Sequence, residues 1–375
     1  MVDPQRPLHV AIGVLAGVTG GPASYGRQLV RALGELAAAG EVALRVTVLT
    51  DRPQDFGGAN CEAIEVSMRG GLDRLRWQHW ALPRAIARVA PDVYHDTKNA
   101  LPIRLHVPGV VTVHDLAYRA VPETFGFWSR KFLVHATKDA VRRARVVVVP
   151  SQATARDVER WHPDARDKLA VVLHGIAPAR ELDDTALRSA RERLALPARY
   201  VLHVGTIQAR KKVDLVVRAV RALRTRHPDL RVVLVGRRGW LADRAFAEIE
   251  RDDTARWLGV VGDDDLAAIY RGAAVFASPS AYEGFGFTVA DALAAGVPVV
   301  ISDVSSLPEL CGGAALCMAS LDVDGVAAAI LRVLDDPALA SRLRRDGPRR
   351  ANELTWRSSA LGHLAAYRRA VAAPS

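Results

Sequence analysis

The chain has 375 residues, of which 50% are hydrophobic and 25% are charged; this composition is typical of a folded globular protein, and the length favours two domains over one. The formal net charge of +10 does not by itself indicate nucleic-acid binding, because the basic residues are spread over predicted helices without such a motif. Anionic substrates or an anionic membrane surface explain the charge as well.

Cysteine usage argues against a metal or disulfide framework. Cys61, Cys311 and Cys317 are odd in number and lack zinc or redox spacing, which fits a reducing cytoplasm. The apolar stretch at residues 8–18 resembles a signal peptide at first sight, but it contains His9 and two glycines and leads into an amphipathic segment without an obvious cleavage site. We therefore expect a first β-strand here. No apolar run reaches the length of a membrane span.

Apolar runs then alternate with segments of helical periodicity, which indicates parallel strands covered by helices on both faces. In the first half, strands are predicted at residues 8–14, 43–49, 92–95, 110–113, 146–149 and 169–173, and helices at 23–38, 73–89, 128–144 and 151–160. Residues 177–179 form a predicted linker, and a charged helix follows at 183–194. A second series has strands at 200–204, 231–235, 255–260 and 275–278, and helices at 213–226, 241–251 and 264–270. Two doubly wound α/β domains follow, with ligand crevices expected at the carboxyl ends of their strands.

Two motifs lie at predicted strand ends of the first half. A glycine-rich loop with Gly17, Gly20 and Gly21 precedes Pro22, which suits the start of a helix. It lacks the GxGxxG spacing, so it is either a tight turn or a close approach of backbone to a ligand. The other motif is His114 with its neighbour Asp115. Most histidines are hydrogen-bonded structural residues, and the aspartate could cap a turn, so this motif alone favours a structural role.

A cationic motif follows the first predicted strand of the second half. Arg210, Lys211 and Lys212 come after Gly205 and immediately before a helix. A charge cluster is usually a solvated surface. Here, however, cations and a helix N-terminus converge on one point, which is what a diphosphate requires.

The most informative stretch spans residues 277–301. A strand end is followed by a loop with Gly284 and Gly286, a helix that begins at Phe287, a predicted left-handed cap at Gly296, and another strand at 299–301. The first amides of a helix lack internal partners, so this unit is either an anion site or an ordinary turn. On the site interpretation, one of the neighbouring carboxylates, Glu283 or Asp291, could reach sugar hydroxyls while the amides hold phosphate.

The segment Glu283-Gly-Phe-Gly-Phe, with Asp291-Ala and Gly296-Val-Pro-Val-Val, resembles the E-x7-E signature of retaining glycosyltransferases of family 4, which have the GT-B fold. The resemblance implies that Glu283 contacts the donor sugar and that the amides of the next four residues, Gly284, Phe285, Gly286 and Phe287, hold phosphate and sugar. The family's second glutamate, which contacts the ribose, is replaced by Asp291. Its side chain is shorter by one C–C bond, about 1.5 Å.

Other segments match the same family over roughly residues 8–370. The sequence VHDLAY around His114 is similar to a segment of mannosyltransferases, which implies that His114 is an active-site residue that positions the donor sugar. The resemblance further implies diphosphate contacts for Arg210 and Lys211 but no role for Lys212. It also implies donor-phosphate or acceptor binding by the loop that contains Gly21, and base contacts from the backbone of Val260 and Val261.

These expectations define a GT-B enzyme that transfers a hexosyl group with retained configuration from a nucleoside diphosphate sugar, preferably GDP-mannose, otherwise a UDP-sugar. The acceptor would be a glycan, a lipid-linked saccharide or a small metabolite. No cofactor or metal is expected, because the acidic run 263–265 more simply begins a helix. The rivals are a GT-B-like nucleotide-sugar epimerase or sugar phosphorylase, and a non-catalytic binding subunit. The expected domains are residues 1–177 (acceptor), 178–198 (linker and helix), 199–355 (nucleotide sugar) and 356–375 (a helix packing back on the first domain).

An aromatic and basic segment at residues 119–145 bears on localisation. It carries Phe125, Phe127, Trp128 and Phe132 among basic residues. Such a helix can anchor at an anionic membrane surface, which would suit a lipid-linked acceptor, but packing of these aromatics in the core is the favoured expectation. The protein is expected in the cytoplasm, either free or peripheral on the inner face of the plasma membrane.

Overall fold

A computed structural model describes residues 6–14, 21–66 and 80–373. Their contacts divide the chain into two units. The first unit contains the described residues up to 116, together with 131–175 and 354–373. The second contains residues 117–130 and 176–353.

The first unit is built on a seven-stranded parallel sheet with the order β3-β2-β1-β4-β5-β6-β7. Its strands are β1 (Leu8–Val14), β2 (Leu44–Thr50), β3 (Glu62–Glu65), β4 (Val93–Asp96), β5 (Gly109–Thr112), β6 (Val146–Val149) and β7 (Leu169–Val171). The central strands are buried on both faces, which is why their sequences are continuous apolar runs. The strand order reverses between β1 and β4, where a doubly wound sheet opens a crevice.

Helices cover this sheet. They are Gly21–Ala38, Leu82–Val89, Gln152–Trp161 and Trp356–Ala372, with most of Phe127–Arg143. The last helix packs against the first helix and against β4, β5 and β6. Thr355 caps it by accepting a hydrogen bond from the Ser358 amide (3.1 Å). The chain passes close to the start of this helix at Gly175, because a Cβ there would lie 2.3 Å from the backbone nitrogen of Trp356.

The second unit has a six-stranded parallel sheet with the order β10-β9-β8-β11-β12-β13. Its strands are β8 (Arg199–Val204), β9 (Leu230–Val235), β10 (Ala255–Trp257), β11 (Val275–Ser278), β12 (Val299–Ile301) and β13 (Leu316–Cys317). Its helices are Ala117–Ala120, Asp184–Arg193, Val213–Leu223, Asp243–Arg251, Asp263–Gly272, Phe287–Ala294, Leu307–Cys311, Val323–Asp335 and Pro337–Glu353. The order reverses between β8 and β11.

The two parallel sheets confirm the predicted α/β class, with local corrections. The strand predicted at 255–260 ends at Trp257, because Gly259 turns the chain with a φ of +68°. The helix predicted at 213–226 ends at Leu223. The acidic run begins the helix Asp263–Gly272 as expected, and Asp264 and Asp265 pair with Arg180 and Arg193. Residues 15–20, which include Gly17 and Gly20, and residues 73–79 of a predicted helix lie outside the described residues.

The expectation that the aromatic side chains of the 119–145 segment pack in the core is wrong for three of the four. Phe127 is 59% exposed, Trp128 78% and Phe132 58%. Only Phe125 is half-buried, where its ring lies 6.4 Å from Tyr118 and 6.0 Å from Trp240. Among the helices in the described part of the chain, none is both long and apolar enough to cross a membrane.

Candidate active site

The second unit brings two predicted motifs together where its strand order reverses. The segment that contains Arg210 and Lys211 follows the carboxyl end of β8, and the loop that contains Glu283 follows the carboxyl end of β11. Strands β8 and β11 are neighbours in the sheet, and the strands that follow each of them in the chain are added on opposite sides of this pair. The crevice between two such strands is the usual ligand site of doubly wound sheets.

Glu283 forms ion pairs with both cations. Its Oε2 accepts a hydrogen bond from Arg210 Nη1 at 3.0 Å, and its Oε1 accepts one from Lys211 Nζ. All three side chains are largely buried, with relative exposures of 8%, 13% and 12% for Glu283, Arg210 and Lys211. Arg210 also donates to the carbonyl of Tyr282, which ties the cation to the backbone beside the carboxylate.

The electrostatics of this cluster keep Glu283 ionised. Burial by itself would raise the pKa of its carboxyl, but the charges of Lys211 and Arg210 outweigh burial and lower the pKa to about 2. A carboxylate in this state accepts hydrogen bonds but does not supply a proton at neutral pH. Glu283 can therefore bind a hydroxyl group, and it is not equipped to act as a general acid.

Hydrogen bonds from a neighbouring serine pair hold the Glu283 loop in place. The Glu283 amide donates to Ser305 Oγ (2.8 Å), and Ser306 Oγ donates to the carbonyls of Glu283 (2.9 Å) and Phe285 (3.1 Å). On the other side, the Ala281 amide donates to the Arg210 carbonyl at 2.8 Å. The loop and the cation segment are therefore joined through the backbone as well as through charge.

The glycine-rich turn places a helix start next to this cluster. Gly286 has a φ of +102° and caps the helix Phe287–Ala294, and a Cβ on it would lie 2.8 Å from Leu307 Cδ2. The positive φ favours glycine here, whereas the Leu307 methyl could move aside. Phe285 is buried and contacts Phe287 edge to face at 5.1 Å, so its side chain packs within the turn. A helix start carries a partial positive charge that favours an anion.

Asp291 lies within the same helix, and its side chain is exposed. Desolvation by the surrounding protein nevertheless raises the pKa of its carboxyl to about 7. Water around the exposed carboxylate opposes such a shift.

Three further predicted positions of the second unit, Val260, Val261 and Lys212, lie in a loop and at a helix cap. Val260 is 68% exposed and Val261 half-buried, both in the loop after β10, where the Gly259 carbonyl accepts from the Gly236 amide at 2.6 Å. Lys212 has a left-handed φ of +51° and occupies the cap position of the helix Val213–Leu223. Its position in the cap gives Lys212 a conformational role.

His114 belongs to the first unit, where it follows β5, and Gly21 begins the first helix there. Both ring nitrogens of His114 contact protein atoms. Nε2 donates to the Thr97 carbonyl at 2.8 Å, so Nδ1 is an acceptor and lies 3.4 Å from His174 Nε2. Burial, which is the largest effect, lowers the pKa of His114 and favours a neutral ring. The 3.4 Å contact is long for a hydrogen bond and is the one that a ligand could replace.

A buried polar network that the sequence did not predict surrounds His114. The Tyr25 ring lies edge-on at 4.9 Å from the His114 ring and 4.4 Å from that of His174. Tyr25 also hydrogen-bonds to Thr112 and to His363 of the last helix. Thr112 and His363 carry no motif, and they are separated from Tyr25 by 87 and 338 positions, so only the fold reveals the network.

Within the described ranges, no three His, Cys, Asp or Glu side chains cluster in a way that could hold a metal ion. The arrangement in the second unit instead offers two buried cations, a helix N-terminus and one ionised carboxylate. This combination suits a ligand with an anionic end and a hydroxyl-rich end.

The fold and the sequence both have known counterparts. Sucrose-phosphate synthase from Thermosynechococcus elongatus superposes with a TM-score of 0.75 at 24% identity, covering 96% of this chain and 98% of that one. HepE from Anabaena, solved in complex with UDP-glucose, superposes with a TM-score of 0.72 at 15% identity over 96% and 99% of the two chains. The likeness of these structures establishes the fold class, GT-B.

Family membership rests on the sequence. A model described as Glycosyltransferase Family 4 matches residues 19–180, and one described as Glycosyl transferases group 1 matches residues 198–336. The O-antigen chain mannosyltransferase B of Escherichia coli is 30% identical over 308 residues, which are 78% of this chain and 77% of that protein. The chain belongs to family 4 of the glycosyltransferases and is an enzyme of the hexosyltransferase class.

Proposed function

We propose that this enzyme transfers a hexosyl group, preferably mannosyl, from a nucleoside diphosphate sugar to an acceptor hydroxyl with retained anomeric configuration. One observation carries the proposal: Glu283 forms ion pairs with Arg210 and Lys211 beside the start of the helix Phe287–Ala294. The donor's diphosphate would meet the cations and the helix amides, and its sugar would meet the carboxylate.

The chemistry is electrostatic stabilisation of the departing diphosphate. Two unit charges 4 Å apart attract by about 4 kcal/mol at an effective dielectric constant near 20, before desolvation. Arg210 and Lys211 would each gain such an interaction when the diphosphate replaces part of their contact with Glu283. The carboxylate, which the two cations keep ionised while they remain beside it, would then accept hydrogen bonds from the sugar.

The remaining site residues take supporting roles in the proposal. The amides from Gly284 to Phe287 would hold phosphate and sugar, Asp291 the ribose, and the backbone of Val260 and Val261 the base. In the first unit, which would bind the acceptor, His114 would position the donor sugar through its Nδ1 atom, and the segment that begins at Gly21 would contact phosphate or acceptor.

The proposed donor is GDP-mannose. The E. coli relative is a mannosyltransferase, which supports GDP-mannose, whereas HepE was solved with UDP-glucose. Release of nucleoside diphosphate should be measured with GDP-mannose, UDP-glucose and UDP-N-acetylglucosamine. Activity with GDP-mannose alone supports the mannosyl assignment, and activity confined to a UDP-sugar contradicts it but leaves transfer standing. Consumption of donor into an isomeric nucleotide sugar without acceptor would instead indicate an epimerase.

A lipid-linked acceptor at an anionic membrane surface also belongs to this proposal. The exposed side chains of Phe127, Trp128 and Phe132 lie on one helix with Arg130 and Lys131, a combination that suits the boundary between lipid headgroups and acyl chains. The double variant Trp128→Ser, Phe132→Ser should bind less to vesicles that contain anionic lipid. Ile103→Ser removes another exposed apolar side chain (62%) and serves as the control. Equal vesicle binding by the wild-type protein, the double variant and the control would contradict the membrane proposal.

A further inference from the structure

His203, near the end of β8, stands at the point where the two central strands of the second sheet separate. Strands β8 and β11 pair at Val201 with Val275 and at Leu202 with Phe276, and their pairing stops there. At the next position, the Ala277 carbonyl accepts a hydrogen bond from His203 Nδ1 at 2.9 Å. The imidazole therefore replaces a backbone partner where the sheet opens towards the candidate site.

This hydrogen bond fixes the protonation of the ring. A carbonyl oxygen only accepts, so Nδ1 carries the proton, and Nε2 of a neutral ring keeps a lone pair. Burial, with a further contribution from the charge of Lys211, lowers the pKa of His203 to about 4, which keeps the ring neutral at physiological pH. The residue is 1% exposed, and among the described residues nothing donates to Nε2.

An acceptor that is buried without a donor destabilises the folded state, so its presence calls for an explanation. Lys211 follows β8 and Glu283 follows β11, the two strands that separate at His203, so both lie at the same edge of the sheet as the ring; their charges also act on the ring. Both groups belong to the cluster described above. A lysine ammonium has three donors, and Lys211 donates to Glu283 Oε1 among its contacts.

We propose that His203 is a positioning residue for Lys211: when a diphosphate binds, its Nε2 accepts a hydrogen bond from the Lys211 ammonium. Lys211 must then loosen its contact with Glu283 so that the carboxylate can meet the sugar. A neutral acceptor at Nε2 steadies the ammonium without adding a negative charge that would compete with the phosphates. This inference rests on the proposed donor site, and variants of His203 and Lys211 separate the two.

Two substitutions separate the two ring nitrogens. His203→Asn keeps a donor near the position of Nδ1 and removes Nε2, whereas His203→Gln places an amide near Nε2 and removes the bond to Ala277. The dissociation constant is measured by calorimetry for whichever of GDP and UDP binds the wild-type protein more tightly, alongside the melting temperature. We expect His203→Asn to melt near the wild-type temperature and to bind about tenfold more weakly. We expect His203→Gln to melt lower and to lose less affinity.

A double-mutant cycle with Lys211→Ala tests whether His203 acts through the lysine. If it does, His203→Asn causes no further loss once Lys211 is gone. An equal loss in both backgrounds, or wild-type affinity of His203→Asn, overturns the inference while the donor site stands. Wild-type affinity of Lys211→Ala, or a wild-type protein that binds neither nucleotide, overturns the donor site and the inference together.

Discussion

The Tyr25 hydroxyl donates a hydrogen bond to His363 Nε2 at 2.7 Å, joining the first and last helices of the first unit. The direction of this hydrogen bond follows from the other ring nitrogen of His363. The Ser359 carbonyl accepts from His363 Nδ1, so Nε2 of a neutral ring must accept. The other hydrogen-bond directions follow, because each hydroxyl has only one proton to donate. Thr112 donates to Tyr25, His95 Nε2 donates to Thr112, and Tyr367 donates to His95 Nδ1.

Removing the Tyr25 hydroxyl should therefore loosen the last helix. Tyr25→Phe leaves His363 Nε2 without a donor and Thr112 without an acceptor, both fully buried. We expect a loss of about 2 kcal/mol in the free energy of unfolding. Urea unfolding followed by tryptophan fluorescence measures it, because the Trp356 ring lies 6.3 Å from that of Tyr25. An unchanged midpoint would show that this network does not stabilise the helix.

The buried histidines predict a loss of stability in mild acid. Burial lowers the pKa of His203 and of His363 from 6.5 to about 4, and it lowers those of His95 and His174 well below 6.5. The unfolded chain therefore binds more protons between about pH 6.5 and 4, so this stability is present above 6.5 and is lost as the pH falls through 4. Each histidine with a pKa near 4 accounts for on the order of 3 kcal/mol. Urea midpoints at pH 7.5, 6.5, 5.5 and 4.5 should fall progressively; a constant midpoint would contradict neutral, buried rings.

The close approach at Gly175 predicts a steric effect on the last helix. Gly175→Ala would place Cβ 2.3 Å from the Trp356 backbone nitrogen, which cannot rotate away, so we expect a loss of about 1–3 kcal/mol or more. Gly57→Ala is the matched control, because its φ is −56° and its Cβ would lie 3.8 Å from the nearest atom. Melting temperatures compare the two; equal shifts would show that the packing at Trp356 is not tight.

Substitution of the adjacent residues Lys211 and Lys212 distinguishes a specific contact with the diphosphate from a general effect of positive charge. Lys211→Ala removes a cation that is paired with Glu283, whereas Lys212→Ala removes one at a helix cap and leaves its backbone requirement unchanged. We expect Lys211→Ala to weaken nucleoside diphosphate binding about 10- to 100-fold, as for a charged hydrogen bond. Lys212→Ala should stay within about twofold. The kcat/KM values should follow the same order, and equal effects at both positions would indicate only a diffuse field.

Sequence patterns predicted the parts of the fold that local physics determines. Continuous apolar runs identified strands such as Val146–Val149, and glycine chemistry identified the turn at Gly286. The strand Glu62–Glu65 was missed because it is short, lies at the sheet edge and has polar ends. The aromatic residues of the helix Phe127–Arg143 were expected inside because hydrophobicity alone does not specify which face of a helix is covered.

In the candidate site, local motifs predicted the residues, whereas their contacts follow only from the fold. Glu283, Arg210 and Lys211 were each predicted from local motifs, but their pairing joins residues 72 and 73 positions apart and follows from the strand order. The role of His203 depends on where two strands stop pairing, which no sequence window contains.

The most direct test of the account is the variant Glu283→Gln, which keeps the shape of the side chain and removes its charge. Arg210 and Lys211 would lose the carboxylate that competes with phosphate, so nucleoside diphosphate binding should be unchanged or tighter. Turnover of the nucleotide sugar should fall by about 100-fold or more, because the sugar loses its charged acceptor. The two quantities are measured on the same folded protein, by calorimetry and by release of nucleoside diphosphate. Wild-type turnover, or a loss of binding as large as the loss of turnover, would contradict the proposed division of the site between phosphate and sugar.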